Sequence, residues 1–475
     1  MIDLRIVVGT VITVDEHRRV INDGAIAIDN ERIVEVGPAA EIEEEARQHI
    51  VMPNAVAMPG LIDAHGHAGH SLIRTMADDL GAWMDACERV YLHGATPEFW
   101  RAEALLTATE RLMAGTTTSL SMLGGAGDTI RADDPSHGNA HLGGYAEVGL
   151  RAVMAIGPGA PPFPKMTTKH DGGASQELTS SFVDQMAVAE AVASEWRGHD
   201  RCAVALTYPT LGMQGGAPDA EVVAGAAAVR SLSDSAGLLI VQDGHQGDTV
   251  EASSRLGLLG PRTVLSHAID LDESHIELIA ASGTSIAHNP SAIYSQFGRC
   301  PVPELLAAGV TVGLGSDATA PDRSADMFRH MFQLTRYHRA DRRDPALFPP
   351  GTTLEMATLG SATVLGLREE IGSIEVGKAA DIILLDTDKA HLTPFTHPVH
   401  QIVYFATGAD VDTVIVGGEV LMQGRQVKTV TVVDVLAEAR KEQRLAFARV
   451  GLEPAGQRDG LWGSIRYPHG PGLTL

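Results

Sequence analysis

The sequence predicts an α/β protein, a (β/α)8 barrel joined to a small discontinuous β-sandwich domain built from both termini. Three observations predict it. Between residues 59 and 368, short apolar runs alternate with Ala-, Leu- and Glu-rich helical stretches, the pattern of repeated βα units and a parallel sheet. β-branched runs divided by Gly, Asp and Asn turn signals cluster instead at the two ends of the chain. The 475 residues are 44% hydrophobic with 50 glycines and only 4% aromatics, which suits a packed α/β core better than a disordered or fibrous chain.

Taken in order, Arg5-Ile-Val-Val, Thr10-Val-Ile-Thr-Val, Ala25-Ile-Ala-Ile and Arg32-Ile-Val-Glu-Val predict a small antiparallel sheet. Its complement is Ala380-Asp-Ile-Ile-Leu-Leu-Asp and Asp412-Thr-Val-Ile-Val-Gly-Gly-Glu-Val-Leu, the latter with a hairpin-like Gly417-Gly418. The composite domain therefore takes residues 1–58 and 369–430. Within the barrel, residues 59–368, eight strands are predicted at 61–67, 116–121, 152–156, 202–208, 238–242, 263–267, 284–288 and 310–317. The Gly-, Pro-, Asp- and His-rich stretch 123–169 reads as a long loop, either a lid or a surface excursion. Residues 431–475 form a C-terminal helix, over 433–449, and a tail.

Composition excludes several functions. A net charge of −24 argues against nucleic-acid binding and against an anionic membrane surface. The three cysteines Cys87, Cys202 and Cys300 are widely spaced and support neither a disulfide framework nor a zinc–cysteine cluster. With no basic segment followed by an apolar run at the start, and no long uninterrupted apolar stretch, a cytoplasmic location is expected. The expected partners are a small-molecule substrate and further copies of the chain as a homo-oligomer, with no nucleic acid and no membrane.

Barrel strands present chemistry at their C-terminal ends, and the candidate residues fall there. His65 and His67 project to one face of an extended segment with Gly66 between them, so both imidazoles can reach one ion. His245 and Asp248 follow the fifth strand, His267 ends the sixth, His288 ends the seventh and Asp317 the eighth. His65, His67, His245 and Asp317 make a nitrogen and oxygen set suited to one divalent ion, zinc first, with cobalt, iron or manganese as alternatives. Such an ion lowers the pKa of bound water towards neutrality. His267 would orient that water, and Asp317 would take its proton.

The segments Pro59-Gly-Leu-Ile-Asp-Ala-His-Gly-His, Gly115-Thr-Thr-Thr, Leu265-Ser-His, Ala287-His-Asn-Pro, Gly313-Leu-Gly-Ser-Asp and Gly372-Ser-Ile-Glu-Val-Gly-Lys-Ala-Ala-Asp resemble the amidohydrolase superfamily. They run in the expected order along nearly the whole chain. The resemblance implies a metal-dependent hydrolase barrel. Ser71-Leu-Ile-Arg-Thr-Met-Ala-Asp-Asp-Leu is similar to the chlorotriazine hydrolase and cytosine deaminase-like branch, which implies one ion at residues matching His65, His67, His245 and Asp317, with His267 at the water.

The departures from that pattern matter. Binuclear members carry a carboxylated lysine on the fourth strand, and Cys202-Ala-Val-Ala-Leu-Thr-Tyr-Pro has none. Pro209-Thr210 stands where deaminases of the branch have Pro-His. Asp248 stands where they have a glutamate that carries a proton to a ring nitrogen. The run from His288 to Met331 is closer to phenylurea and thiocarbamate (molinate) hydrolases. The leading expectation is therefore hydrolysis of a urea, carbamate or amide C–N bond, with Asp248 or His267 protonating the leaving nitrogen. The alternative is deamination or dehalogenation of a purine, pyrimidine or s-triazine. Trp83, Arg74, His70 and His288 are candidate substrate contacts. Arg74 could instead pair with Asp78, and Asp322 and Arg323 could shape the last loop.

Overall fold

The computed structural model describes residues 1–76, 80–125, 127–171, 173–212, 218–292, 295, 297–320 and 323–452. Asp78, Asp322 and the tail after 452 therefore lie outside the described residues. Eight parallel strands, Leu61–Asp63, Thr116–Met122, Arg151–Ile156, Cys202–Thr207, Ile240–Gln242, Thr263–Ser266, Ser285–His288 and Val312–Leu314, pair in chain order. Each overlaps one of the eight predicted spans. The first strand meets the eighth through Ala64 N–H to Leu314 O at 3.0 Å and Asp317 N–H to His65 O at 2.9 Å, so the barrel is nearly closed. The first strand begins at a close approach. A Cβ on Gly60 would lie 2.2 Å from the Thr117 hydroxyl oxygen, which only glycine avoids.

The terminal segments form one further sheet of eight strands. Its centre is Ala46–Pro59, which pairs parallel with Ile2–Ile12 and antiparallel with Ile382–Asp386. Within residues 4–37 the pairing is antiparallel as expected, Ile2–Ile12 with Val20–Asp29 and Val20–Asp29 with Arg32–Pro38, and the parallel partner is a further strand that the sequence did not reveal. A strand of 14 residues was hidden because Arg47, Gln48, Pro53 and Asn54 break the apolar alternation. The side-chain period of two divides the sheet between two cores. Ile383 and Leu385 pack into the barrel core, while Ile382 and Leu384 meet Ile6, Ile26, Ile33 and Ile415 in a separate cluster. Gly417 and Gly418, at φ 54° and 75°, turn the predicted hairpin.

Residues 123–169 are not a long loop. Helix Pro135–Val148 starts at Asp134, whose carboxylate accepts from Ser136 N–H, with Pro135 in the first turn. Its glycines disguised it. Gly144 lies where a Cβ would come 2.7 Å from that of Ala104, so this helix packs tightly on helix Pro97–Met113. Hairpin Lys165–Asp171 and Ala174–Ser180 follows the third barrel strand. The C-terminal helix spans Val432–Val450. Among the described residues no helix is long and apolar enough to cross a membrane.

Candidate metal centre and active site

Five side chains converge at the C-terminal mouth of the barrel. The ring Nε2 of His65 lies 3.0 Å from Asp243 Oδ1 and 3.5 Å from Asp317 Oδ1. For His67 Nε2 the corresponding separations are 3.3 Å to Asp243 Oδ2 and 3.2 Å to Asp317 Oδ1. His267 Nε2 completes the set at 3.1 Å from Asp243 and 3.6 Å from Asp317. Ligand atoms about 2.1 Å from a common ion are themselves separated by about 3 to 3.5 Å, so this spacing fits a divalent cation.

Each donor is aimed by its surroundings. His67 donates Nδ1–H to the Gly124 carbonyl at 2.9 Å, which turns Nε2 inward. Asp63, at the end of the first strand, accepts from Ser316 N–H at 2.8 Å and Ser316 O–H at 2.6 Å, and is held by Arg111 at 2.8 Å. It therefore fixes the residue before Asp317. His267 and Asp317 have left-handed backbones, φ 64° and 57°, in the sharp turns that follow their strands. Such strain persists where the surrounding structure over-determines it. Ser266 donates its hydroxyl to Asp243, and Arg323 lies 2.8 Å from the outer oxygen of Asp317.

The electrostatics match the donor set. Burial alone would raise both carboxyls, but the imidazoles around Asp243, and first of all the Arg323 guanidinium at Asp317, hold them well below the usual range. Burial likewise opposes charge on the imidazoles. The two carboxylates outweigh it and lift His67 to about 10 and His267 to about 9. Both ring nitrogens of His65 are buried without a hydrogen-bond partner among the described residues, despite the carboxylates beside Nε2. A cation among these atoms would satisfy Nε2.

Of the residues predicted from sequence, His65, His67, His267 and Asp317 meet in this cluster. His245 does not join them. Its Nδ1 lies 2.9 Å from the Thr249 hydroxyl and its Nε2 3.4 Å from that of Thr210. The fifth strand stops at Gln242, three residues before His245, and brings Asp243 to the mouth instead. Asp248 is exposed in the first turn of helix Gly247–Arg255 and is not among the clustered side chains.

The predicted substrate contacts sit at varied depths. His70 stacks on His67 with centroids 4.7 Å apart and lies 2.7 Å from the Tyr91 hydroxyl, behind the ligand. Trp83 is buried edge-on against His70. Arg74 pairs with Glu110. His288, buried at the end of the seventh strand, lies 3.3 Å from His338. Sequence reasoning missed Asp243, Ser266 and the Arg323–Asp317 pair. One signal was available, since Asp243 follows its strand at the same offset as His267 follows the neighbouring one.

A parallel barrel with imidazoles and carboxylates gathered at its C-terminal mouth defines the class, a metal-dependent hydrolase. The amidohydrolase family model matches residues 56–207 and 219–421, and the chain belongs to that family, whose reaction here is on carbon–nitrogen bonds other than peptide bonds. A second model, the bacterial imidazolonepropionase-like composite domain, matches residues 24–48. Among relatives, the 5-methylthioadenosine/S-adenosylhomocysteine deaminase of Syntrophobacter fumaroxidans is 30% identical over 92% of this chain and 97% of its own length. The enzyme of the same name from Nitratidesulfovibrio vulgaris is 32% identical, over 93% and 96%. An adenosine deaminase from Xanthomonas campestris, solved with bound zinc, superposes with TM-score 0.81 at 27% identity, covering 94% of this chain and 99% of that one. A triazine hydrolase variant, at 22% identity and TM-score 0.78, covering 93% of this chain and 100% of that one, shares the fold.

Proposed function

We propose that this chain is a mononuclear metal-dependent aminohydrolase that replaces the amino group of an adenosine-type purine by a carbonyl, with release of ammonia. The observation that carries the reading is the full-length similarity, at 30 to 32% identity, to two proteins named as 5-methylthioadenosine/S-adenosylhomocysteine deaminases. It favours the heterocycle alternative over urea or carbamate hydrolysis. The fourth strand Cys202–Thr207 has no lysine to bridge a second ion, which supports one ion per chain. Zinc is the choice supported by the Xanthomonas structure.

His65, His67, His267 and Asp317 would hold a divalent ion, which when bound would make hydroxide available near neutral pH. The chain's own groups do the rest. Arg323 holds the outer oxygen of Asp317, so the inner oxygen faces the imidazoles and is the atom that takes the nucleophile's proton. Where Asp248 is exposed, His245 is buried and serves as a neutral, oriented hydrogen-bonding imidazole. Thr249 gives its own proton to Gln246 O at 2.8 Å, so its oxygen accepts from His245 Nδ1–H. That tautomer leaves Nε2, on the Thr210 side, as an acceptor. The ring is kept neutral by burial, which pushes it down to about 3.

The test is a product assay on metal-quantified protein, offered adenosine, 5-methylthioadenosine, S-adenosylhomocysteine, a chlorotriazine, a phenylurea and an N-aryl carbamate. Ammonia and the oxo-purine should appear from the nucleosides. Free aniline from the acyclic substrates, with no ammonia from any purine, would overturn the proposal and restore the urea and carbamate reading.

A further inference from the structure

The fifth strand offers three polar residues in four positions, Gln242, Asp243 and His245, and the structure separates their duties. Gln242 is fully engaged. Its amide nitrogen donates to the Tyr208 and Pro209 carbonyls at 3.3 and 3.2 Å, and its oxygen accepts from Ser253 at 3.1 Å. His245 is turned to Thr249 and Thr210. Asp243 alone of the three meets the imidazoles of His65, His67 and His267, and it uses both oxygens to do so.

The orientation of Asp243 is built in. Ser266 donates its hydroxyl to Asp243 Oδ1 and accepts from Gly244 N–H at 3.1 Å, so one serine fixes the carboxylate and the backbone beyond it. Ser266 also precedes His267, on the strand paired with the fifth through Gln242 and Leu265. The two strand ends are thereby braced as a unit, with one donor on each.

We infer that Asp243 is the fifth-strand metal ligand and that His245 is not a ligand, giving a donor set of three imidazoles and two carboxylates. The inference rests on the metal-dependent reading above and not on the choice of substrate. It has a chemical consequence. A second carboxylate cancels the remaining charge of a divalent ion and adds a hard oxygen donor, which suits manganese or iron better than an additional imidazole would. The gap in affinity between zinc and manganese should therefore be narrower than in a variant with histidine at this position.

The experiment is metal binding without substrate. Full-length wild type, Asp243→Asn, Asp243→His and His245→Asn are stripped with chelator, checked for folding by circular dichroism, and titrated with zinc and manganese against a chromophoric competitor. Removing an outer-shell partner of a ligand already costs 10- to 100-fold in affinity, so Asp243→Asn should lose about 100-fold or more. His245→Asn should keep one ion per chain within about threefold of wild-type affinity, on the scale of that same comparison. Asp243→His should bind while widening the zinc-to-manganese ratio. Wild-type affinity in folded Asp243→Asn, or loss of the ion from folded His245→Asn, would overturn the assignment. Should Asp243→Asn fail to fold, His245→Asn and the ratio in Asp243→His decide it. Wild type that binds no ion would instead sink the metal-dependent reading itself.

Discussion

At the scale of single residues, the site couples metal and protons. His67 and His267 are held up at about 10 and about 9 by the two carboxylates, against burial. An entering ion takes those carboxylates as partners and must displace one proton from each ring. The sign follows. Below pH 9 both rings are protonated, so affinity should rise with pH by up to two proton equivalents per ion, then level off above pH 10. Asp243 and Asp317, held low, add no protons over that range. Chelator competition at several pH values measures the slope, and a pH-independent affinity would contradict it. The same residues mark the limit of sequence reading. His65, His67, His267 and Asp317 were legible because each ends an apolar run, whereas choosing between Asp243 and His245 requires knowing where the strand stops and which way the chain then turns.

At the scale of elements, the eight barrel strands were legible because each is a short β-branched or apolar run bounded by turn residues. Helix Pro135–Val148 was not, since glycines that read as loop residues serve close packing. At Gly144 a new Cβ would meet Ala104, and the Arg101 carbonyl at 3.1 Å, leaving side chain and backbone little room to yield. Gly144→Val should therefore destabilise the protein by about 1 to 3 kcal/mol or more, the usual cost of overpacking. A shift in the denaturant midpoint at constant slope measures this, and an unchanged midpoint would show that the two helices are not so close.

For the whole molecule, the terminal sheet and the barrel share a core and a buried ion pair. Arg151, at the start of the third barrel strand, binds Asp381 through 2.8 and 3.1 Å contacts. Asp381 also accepts from Gly417 N–H at 2.8 Å, and its carbonyl from Gly60 N–H at 3.0 Å. Asp381→Ala leaves a largely buried guanidinium without its partner, and breaking such a pair costs about 3 to 5 kcal/mol. Thermal unfolding should show the loss. A change below about 1 kcal/mol, the level of an exposed ion pair, would mean that this contact carries little of the join. That the two ends of the chain meet was legible in their matched β-branched runs. The parallel pairing through Ala46–Pro59 was not, because its polar half shows no alternation.

The seam of the barrel has a temporal meaning. Asp63 and Ser316, hydrogen-bonded across it, lie 253 residues apart in the chain. His65 and Asp317, the neighbours of that contact, likewise come from opposite ends of the barrel sequence. During synthesis, then, the first two imidazoles leave the ribosome long before the carboxylate that completes their site. The nascent chain must carry an unfinished half-site until its eighth strand arrives.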